Sequence, residues 1–219
     1  RTVPVMLDIT RDIAELAPNA WVINFTNPSG LVTQAINNYT PVQAIGLCNV
    51  PINMQRNAAK ALSVEPQRIE LDYVGLNHLS WVRHVWCDGK DVTAQLLEDE
   101  EIKDTYPLAD ALVQKLGMLP NYYLRYYAHP DLVVAKQREA EQTRAEYLQS
   151  VEAELLEMYT DPALDEKPAL LEERGGAYYS TAAVELLRAI AQNRREVHIV
   201  NVRNGDALPD LPPDSVVEV

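Results

Sequence analysis

The sequence predicts an α/β to α+β protein: the end of a parallel, doubly wound sheet followed by a mostly helical layer. Two strand–helix units follow one another between residues 21 and 62, and such alternation buries its apolar faces as a parallel sheet covered by helices. Alternating, half-buried strands come next, and amphipathic stretches fill most of the remainder. Hydrophobic residues make up 47% and charged residues 23% of the 219, enough to build one substantial core or two small ones.

Val3, Met6, Leu7, Ile9, Ile13 and Leu16 mark an amphipathic helix over residues 3–17, stopped by Pro18-Asn19. Residues 21–25 read as a buried strand. Pro28 then forces Asn27 into an extended conformation and leads into a helix over 29–39, which puts Asn27 at a strand-to-helix corner. The unit repeats with a strand at 42–47, a corner at Cys48-Asn49 and a helix at 51–62, again with proline at its start. Strands at 69–74 and 79–86 follow, closed by an Asp88-Gly89 turn. From residue 90 helices dominate, with a long charged one at about 132–159, a loop at Asp161-Pro162 and an amphipathic one at 177–191. The chain ends on strand-like runs at 197–202 and 215–219.

A formal charge of −13 repels a phosphate backbone, and the 19 basic residues form no stripe or tail, which argues against a nucleic-acid partner. No apolar run is long enough to cross a bilayer, the first residues lack a signal-peptide pattern, and two cysteines make no disulfide framework. These features point to a cytoplasmic protein without a membrane partner. Arg1 at the start, the immediate helix and the strand-like last residues lead us to expect a segment of a longer protein.

The eight glycines stand at 30, 46, 75, 89, 117, 175, 176 and 205, so no G-x-G-x-x-G loop is present to hold a pyrophosphate. The chemistry concentrates instead in Cys48-Asn49 and Asn77-His78, each following a strand-like stretch. Strand ends in open α/β sheets border the ligand crevice, and a thiol and an imidazole at two strand ends of one sheet can meet on one metal ion. A lone cysteine is ordinarily a small buried hydrophobe, and a spacing of 78 − 48 = 30 residues does not by itself define a metal site. Two protein ligands leave an ion open to substrate oxygens, which suits catalysis. Near the other end, Arg174-Gly175-Gly176-Ala177-Tyr178-Tyr179-Ser180 reads as a backbone approach to a ligand, or as a turn carrying two aromatic core residues. A tyrosine acts as a base only where positive charge lowers its pKa from about 10.

Thr26-Asn27-Pro28, Gly46-Leu47-Cys48-Asn49, Gly75-Leu76-Asn77-His78, Pro120-Asn121-Tyr122-Tyr123-Leu124-Arg125-Tyr126-Tyr127, Arg174 to Ser180 and Asn201-Val202-Arg203-Asn204, in this order, resemble glycoside hydrolase family 4. Leu76 to Trp81 and Leu124 to Tyr127 resemble its 6-phospho-β-glucosidase branch. The resemblance implies a Rossmann-type fold with a carboxy-terminal domain like that of lactate and malate dehydrogenases. Residues 1–50 would be the end of the dinucleotide-binding domain and 51–219 the substrate- and metal-binding domain. It also implies NAD and a divalent metal, usually manganese, in place of a pair of catalytic carboxylates. The reaction would run by oxidation at sugar C3, deprotonation at C2, elimination at C1, water addition and re-reduction.

Mapped onto this chain, Cys48 and His78 would hold the metal, which polarises the oxidised sugar and stabilises the enediolate, and Tyr179 would be the base, with Tyr178 the alternative. Asn49 would contact the sugar near the leaving group. Asn27 would sit beside nicotinamide and substrate, and Arg203 would contact the phosphate, with Arg174 and Arg195 as alternatives. The run Arg203-Asn204-Gly205-Asp206 departs from the family's usual Asn-Asn-Gly. Zinc or iron would suit a thiolate and an imidazole equally, so manganese rests on the resemblance alone. The substrate would be a phosphorylated disaccharide or β-glucoside and the assembly a dimer or tetramer. Without the nucleotide loop the segment alone is expected to be inactive. Other readings are an α-specific or non-phosphorylated-sugar member, a 2-hydroxy acid dehydrogenase relative, or a non-catalytic sugar-phosphate-binding domain.

Overall fold

Amphipathic α1 (Thr2–Leu16) and α2 (Ser29–Tyr39) cover one face of a sheet that begins with β1 (Trp21–Asn24) and β2 (Gln43–Gly46). The computed structural model describes residues 1–106, 110–174 and 178–219. β1 and β2 pair in parallel, Trp21 with Gln43 through Asn24 with Gly46, as the strand–helix alternation requires. Period-two alternation sends Val22 and Ala44 to Val32 and Ile36 of α2, and Ile23 and Ile45 to a second cluster with Leu47, Ala182 and Leu186. The last two belong to α11 (Tyr179–Gln192), so one helix from the end of the chain covers the other face.

Between them the chain builds a second sheet. After α3 (Val50–Ala61), β3 (Ile69–Leu76) and β4 (Leu79–Cys87) form an antiparallel hairpin, followed by β5 (Lys90–Asp91). Short helices α4 (Thr93–Leu97), α5 (Glu100–Thr105) and α6 (Asp110–Leu116) lead to β6 (Leu119–Pro120), which pairs with β4. Ile69, Val82, Val85, Met54, Leu96 and Ile102 form the core of this unit. Beyond a 3-10 turn, α7 (Arg125–Ala128), α8 (Pro130–Glu139), α9 (Arg144–Met158) and α10 (Leu171–Arg174) continue the chain. β7 (Asn201–Arg203) and β8 (Val216–Glu218) then return to the first sheet, giving the order β1-β2-β7-β8 with both added strands antiparallel.

The long helix expected at 132–159 is two helices. Thr143 accepts from the Glu146 amide while Glu146 bonds back to the Thr143 amide; this capping box starts a new helix four residues after α8 ends. The strand expected at 197–202 is ordered as β only over Asn201–Arg203, although Val200 and Val219 exchange backbone hydrogen bonds beside it. The β3–β4 hairpin also forms its own sheet with β5 and β6 and does not extend the parallel one.

Tyr106 closes the second core, almost fully buried, and its hydroxyl accepts from the Asn57 amide at 2.9 Å. Burial pushes its pKa from 10.0 up to about 12. The folded state thus resists ionisation, and this contribution is intact below pH 10 and is lost as pH rises through about 12. In urea titrations at a series of pH values, stability is expected to fall more steeply across that window in the native protein than in Tyr106→Phe. The difference should be on the order of 2 kcal/mol. Parallel slopes would show that Tyr106 is not the group responsible.

Candidate active site

Two strand ends and one hairpin turn build the site. Leu47 donates its amide to Asn24 O at 2.9 Å and Ser29 Oγ donates to Leu47 O at 3.2 Å, locking the corner after β1 to the corner after β2. Asn24 is buried and holds the first corner from inside, donating to Thr33 Oγ1 at 3.1 Å and accepting from the Thr26 amide at 2.9 Å. Asn27, joined to Pro28 by a cis peptide bond, is exposed at that corner.

Cys48 and Asn49 follow β2. Asn49 occupies the N-cap position of α3 without spending its side chain on capping, which leaves that amide free to face the site. His78 sits in the tight turn between β3 and β4, at φ 66. The sequence reading expected thiol and imidazole at two strand ends of one sheet. They come from two sheets, Cys48 from the first and His78 from the second, and Cys48 Sγ lies 3.5 Å from His78 Nε2.

The aromatic side of the site is delivered by two other elements. Tyr179, the first residue of α11, packs edge-on against Phe25 at 4.8 Å and directs its hydroxyl to Asn49 Oδ1 at 3.4 Å. Tyr178 precedes it in the left-handed region, exposed under the Arg56 guanidinium. The run 175–177, with the glycine pair expected to approach a ligand, lies outside the described residues. Pairing of β6 with β4 then brings Asn121 to Ser80, where its amide donates to Ser80 O at 3.0 Å and its Oδ1 accepts from the Tyr123 amide at 3.0 Å. This turn stacks the Tyr123 ring on His78, centroids 3.9 Å apart, and Tyr122 on Tyr123 at 4.3 Å.

Burial pushes the Cys48 thiol up to about 11, reinforced by the Glu218 carboxyl and opposed by hydrogen bonds from the Val50 amide and the Asn77 side chain. Burial lowers the His78 pKa, which keeps the imidazole neutral and its ring nitrogen lone pair available. Tyr179 is raised, first by burial and then by Cys48 and Tyr123. A nearby cation would reverse the direction for both Cys48 and Tyr179.

These donors fit a divalent ion. Two ligands each about 2.0–2.3 Å from one metal stand roughly 3.5 Å apart, the separation found between Cys48 Sγ and His78 Nε2. Among the described residues no group of three or more His, Cys, Asp or Glu converges as a closed metal site, so this pair would leave coordination positions for substrate.

Arg203 is not brought to this cluster. It lies exposed at the end of β7, where its guanidinium donates to the Asn37 carbonyl of α2. Sequence reasoning named Asn77, Asn121, Tyr122, Tyr123 and Asn201 within its motifs but gave none of them a role of its own, and it passed over Glu218; with Tyr73 and Glu218, the three asparagines form a polar network behind the pair. Asn77 at a strand end and a carboxylate at 218 beside Val216-Val217 are the signals it leaves in the sequence.

Residues 73–219 match the sequence profile described as the family 4 glycosyl hydrolase C-terminal domain, and residues 1–64 match that of family 4 glycosyl hydrolase. The chain is 42% identical over 232 aligned positions to a probable 6-phospho-beta-glucosidase of Bacillus subtilis, covering 100% of this chain and 52% of that protein. It is 37% identical over 234 positions to the 6-phospho-beta-glucosidase of Escherichia coli, with coverage of 100% and 52%. The Thermotoga maritima 6-phospho-beta glucosidase, solved with NAD and glucose-6-phosphate, superposes with a TM-score of 0.84 at 37% identity, over 99% of this chain and 52% of that one. That enzyme has also been solved with manganese, NAD+ and glucose-6-phosphate, and this form superposes at a TM-score of 0.82 and 36% identity, covering 99% and 51%. Malate dehydrogenase of Cryptosporidium parvum, at 13% identity and a TM-score of 0.58 over 99% of this chain and 56% of that one, shares the fold. The chain spans about half the length of the curated relatives it matches. It belongs to family 4 of the glycosyl hydrolases.

Proposed function

We propose that the protein containing this chain hydrolyses 6-phospho-β-glucosides with NAD and a divalent cation, manganese by likeness to the solved relatives, and that this chain supplies the substrate side of the site. One observation carries the reading: a thiol and a neutral imidazole from separate sheets stand 3.5 Å apart, beside the Asn49 side chain that accepts from the Tyr179 hydroxyl. When bound, NAD would supply reversible hydride acceptance at the sugar's C3 and the cation would supply positive charge that polarises the oxidised sugar.

Cys48 and His78 would hold the cation, on the side of the site that faces the sugar. Tyr179, ionised to the phenolate beside positive charge, takes the C2 proton on its oxygen, and the electron pair left at C2 expels the leaving group from C1. Asn49 orients both that hydroxyl and the sugar; its amide cannot act as a carboxylic acid toward the leaving group, so water or another group protonates the aglycone. Asn27, at its corner, would sit beside the nicotinamide and substrate, and Arg203 would contact the phosphate, for which it must release Asn37. Residues 1–50 contribute the end of the nucleotide-binding part and 51–219 the remainder of the site. The stacking of Tyr123 on His78 favours a second reading, in which Tyr123 is the base.

The full-length protein is expected to turn over a chromogenic 6-phospho-β-glucoside only with NAD, a divalent metal and a reducing agent. Chelation, or Cys48→Ser, should remove the response to added metal. Activity undiminished by either would overturn the metal role of Cys48. A preference for a 6-phospho-α-glucoside or for the unphosphorylated sugar in the same panel would overturn the substrate assignment.

A further inference from the structure

Strands of one sheet are held at fixed spacing by their ladder, but Cys48 and His78 belong to different sheets, so side chains must set the distance between them. The fully buried Glu218 of β8 makes that link. Its Oε1 accepts from Asn201 Nδ2 at 2.9 Å, and Asn201 is paired in register with Gly46, two residues before Cys48. The same oxygen accepts at 2.9 Å from Nδ2 of Asn77, which immediately precedes His78. Its Oε2 accepts at 3.0 Å from the Tyr73 hydroxyl of β3, which in turn accepts from Ser80 Oγ at 2.6 Å and Asn121 Nδ2 at 3.2 Å. One oxygen therefore bridges both sheets, one step from each candidate ligand. If the sheets needed only to be packed, an apolar residue would serve without the cost of burying a carboxyl group.

We propose that Glu218 is a positioning residue for the Cys48–His78 pair, acting through Asn77. The proposal rests on the reading that this pair holds a divalent cation. Groups one layer outside a metal site typically influence its affinity 10–100-fold through the ligands they orient. Glutamine at 218 has nearly the same shape. Its NH2 cannot be accepted by a Tyr73 oxygen that already accepts two hydrogen bonds, so it turns toward the side-chain amides of Asn77 and Asn201, which are themselves donors, and the Asn77 contact is lost.

The test is a cobalt(II) titration of the full-length protein, following the thiolate-to-cobalt charge-transfer absorption, with NAD affinity measured in parallel. Glu218→Gln is expected to weaken cobalt binding about 10–100-fold and to shift the band, leaving NAD affinity unchanged. Asn77→Ala should show a loss of the same size, and the double variant should be no worse than Asn77→Ala alone. Native affinity and an unshifted band in Glu218→Gln, or losses that add in the double variant, would overturn the proposal. Should Glu218→Gln not fold, Asn77→Ala decides, and native cobalt affinity there would overturn it equally. A native protein without the charge-transfer band, or one whose band survives in Cys48→Ser, would instead overturn the cation reading and the proposal with it.

Discussion

Tyr179→Phe in the full-length protein is expected to lower kcat for a 6-phospho-β-glucoside by about 10²–10⁴-fold, the contribution of a positioned proton acceptor. The substitution removes one oxygen and leaves the edge-on packing against Phe25 in place, so the loss reports on the hydroxyl and not on the fold. Burial and the neighbouring Cys48 and Tyr123 all push this phenol away from ionisation, and positive charge is what would counter them. The decrease should therefore be accompanied by a change in the isotope effect of deuterium at sugar C2. Full turnover in Tyr179→Phe would exclude it as the base. Tyr123→Phe is the matched comparison. Phenylalanine keeps the stack on His78, so a loss of similar size confined to Tyr123→Phe would move the proton transfer to that hydroxyl.

Gly75→Ala is expected to destabilise the protein by about 2–6 kcal/mol, from strain of roughly 1–3 kcal/mol at a disfavoured backbone conformation and a similar cost of overpacking. Gly75 has φ 143, and a Cβ there would stand 2.5 Å from Leu79 O and 2.6 Å from Ser80 Cα, both backbone atoms of the facing strand. Neither can move aside as a flexible side-chain tip can. Because the residue lies three positions before His78 in the hairpin, relief of the clash would shift the turn that carries the imidazole. Urea denaturation measures the loss directly, and a change below about 1 kcal/mol would show that the hairpin accommodates a side chain there.

The strand–helix–strand–helix order, the corners at Asn27 and Cys48-Asn49 and the amphipathic closing helix were legible because each is written in local periodicity or in a proline. The break between α8 and α9 was written there too, as Thr143 followed by Glu146, but the charged pattern continues across it and masks the stop. The family-like motifs identified Cys48, His78, Asn49 and Tyr179 as a set, and the fold does bring these four together. Arg203 was chosen for its chemistry, and its exposed place beside α2 follows from strand order, which its neighbours in sequence do not encode.

By itself the sequence determined most element types, the family and the two residues proposed to hold a cation, because propensity, turn chemistry and motif order are local. The tertiary structure alone decided that the thiol and the imidazole come from different sheets, that Tyr123 covers His78, and that Glu218 bridges the two halves behind them. These are contacts between residues 17 to 141 positions apart, set by how β7 and β8 return to the first sheet, and no local pattern carries that information.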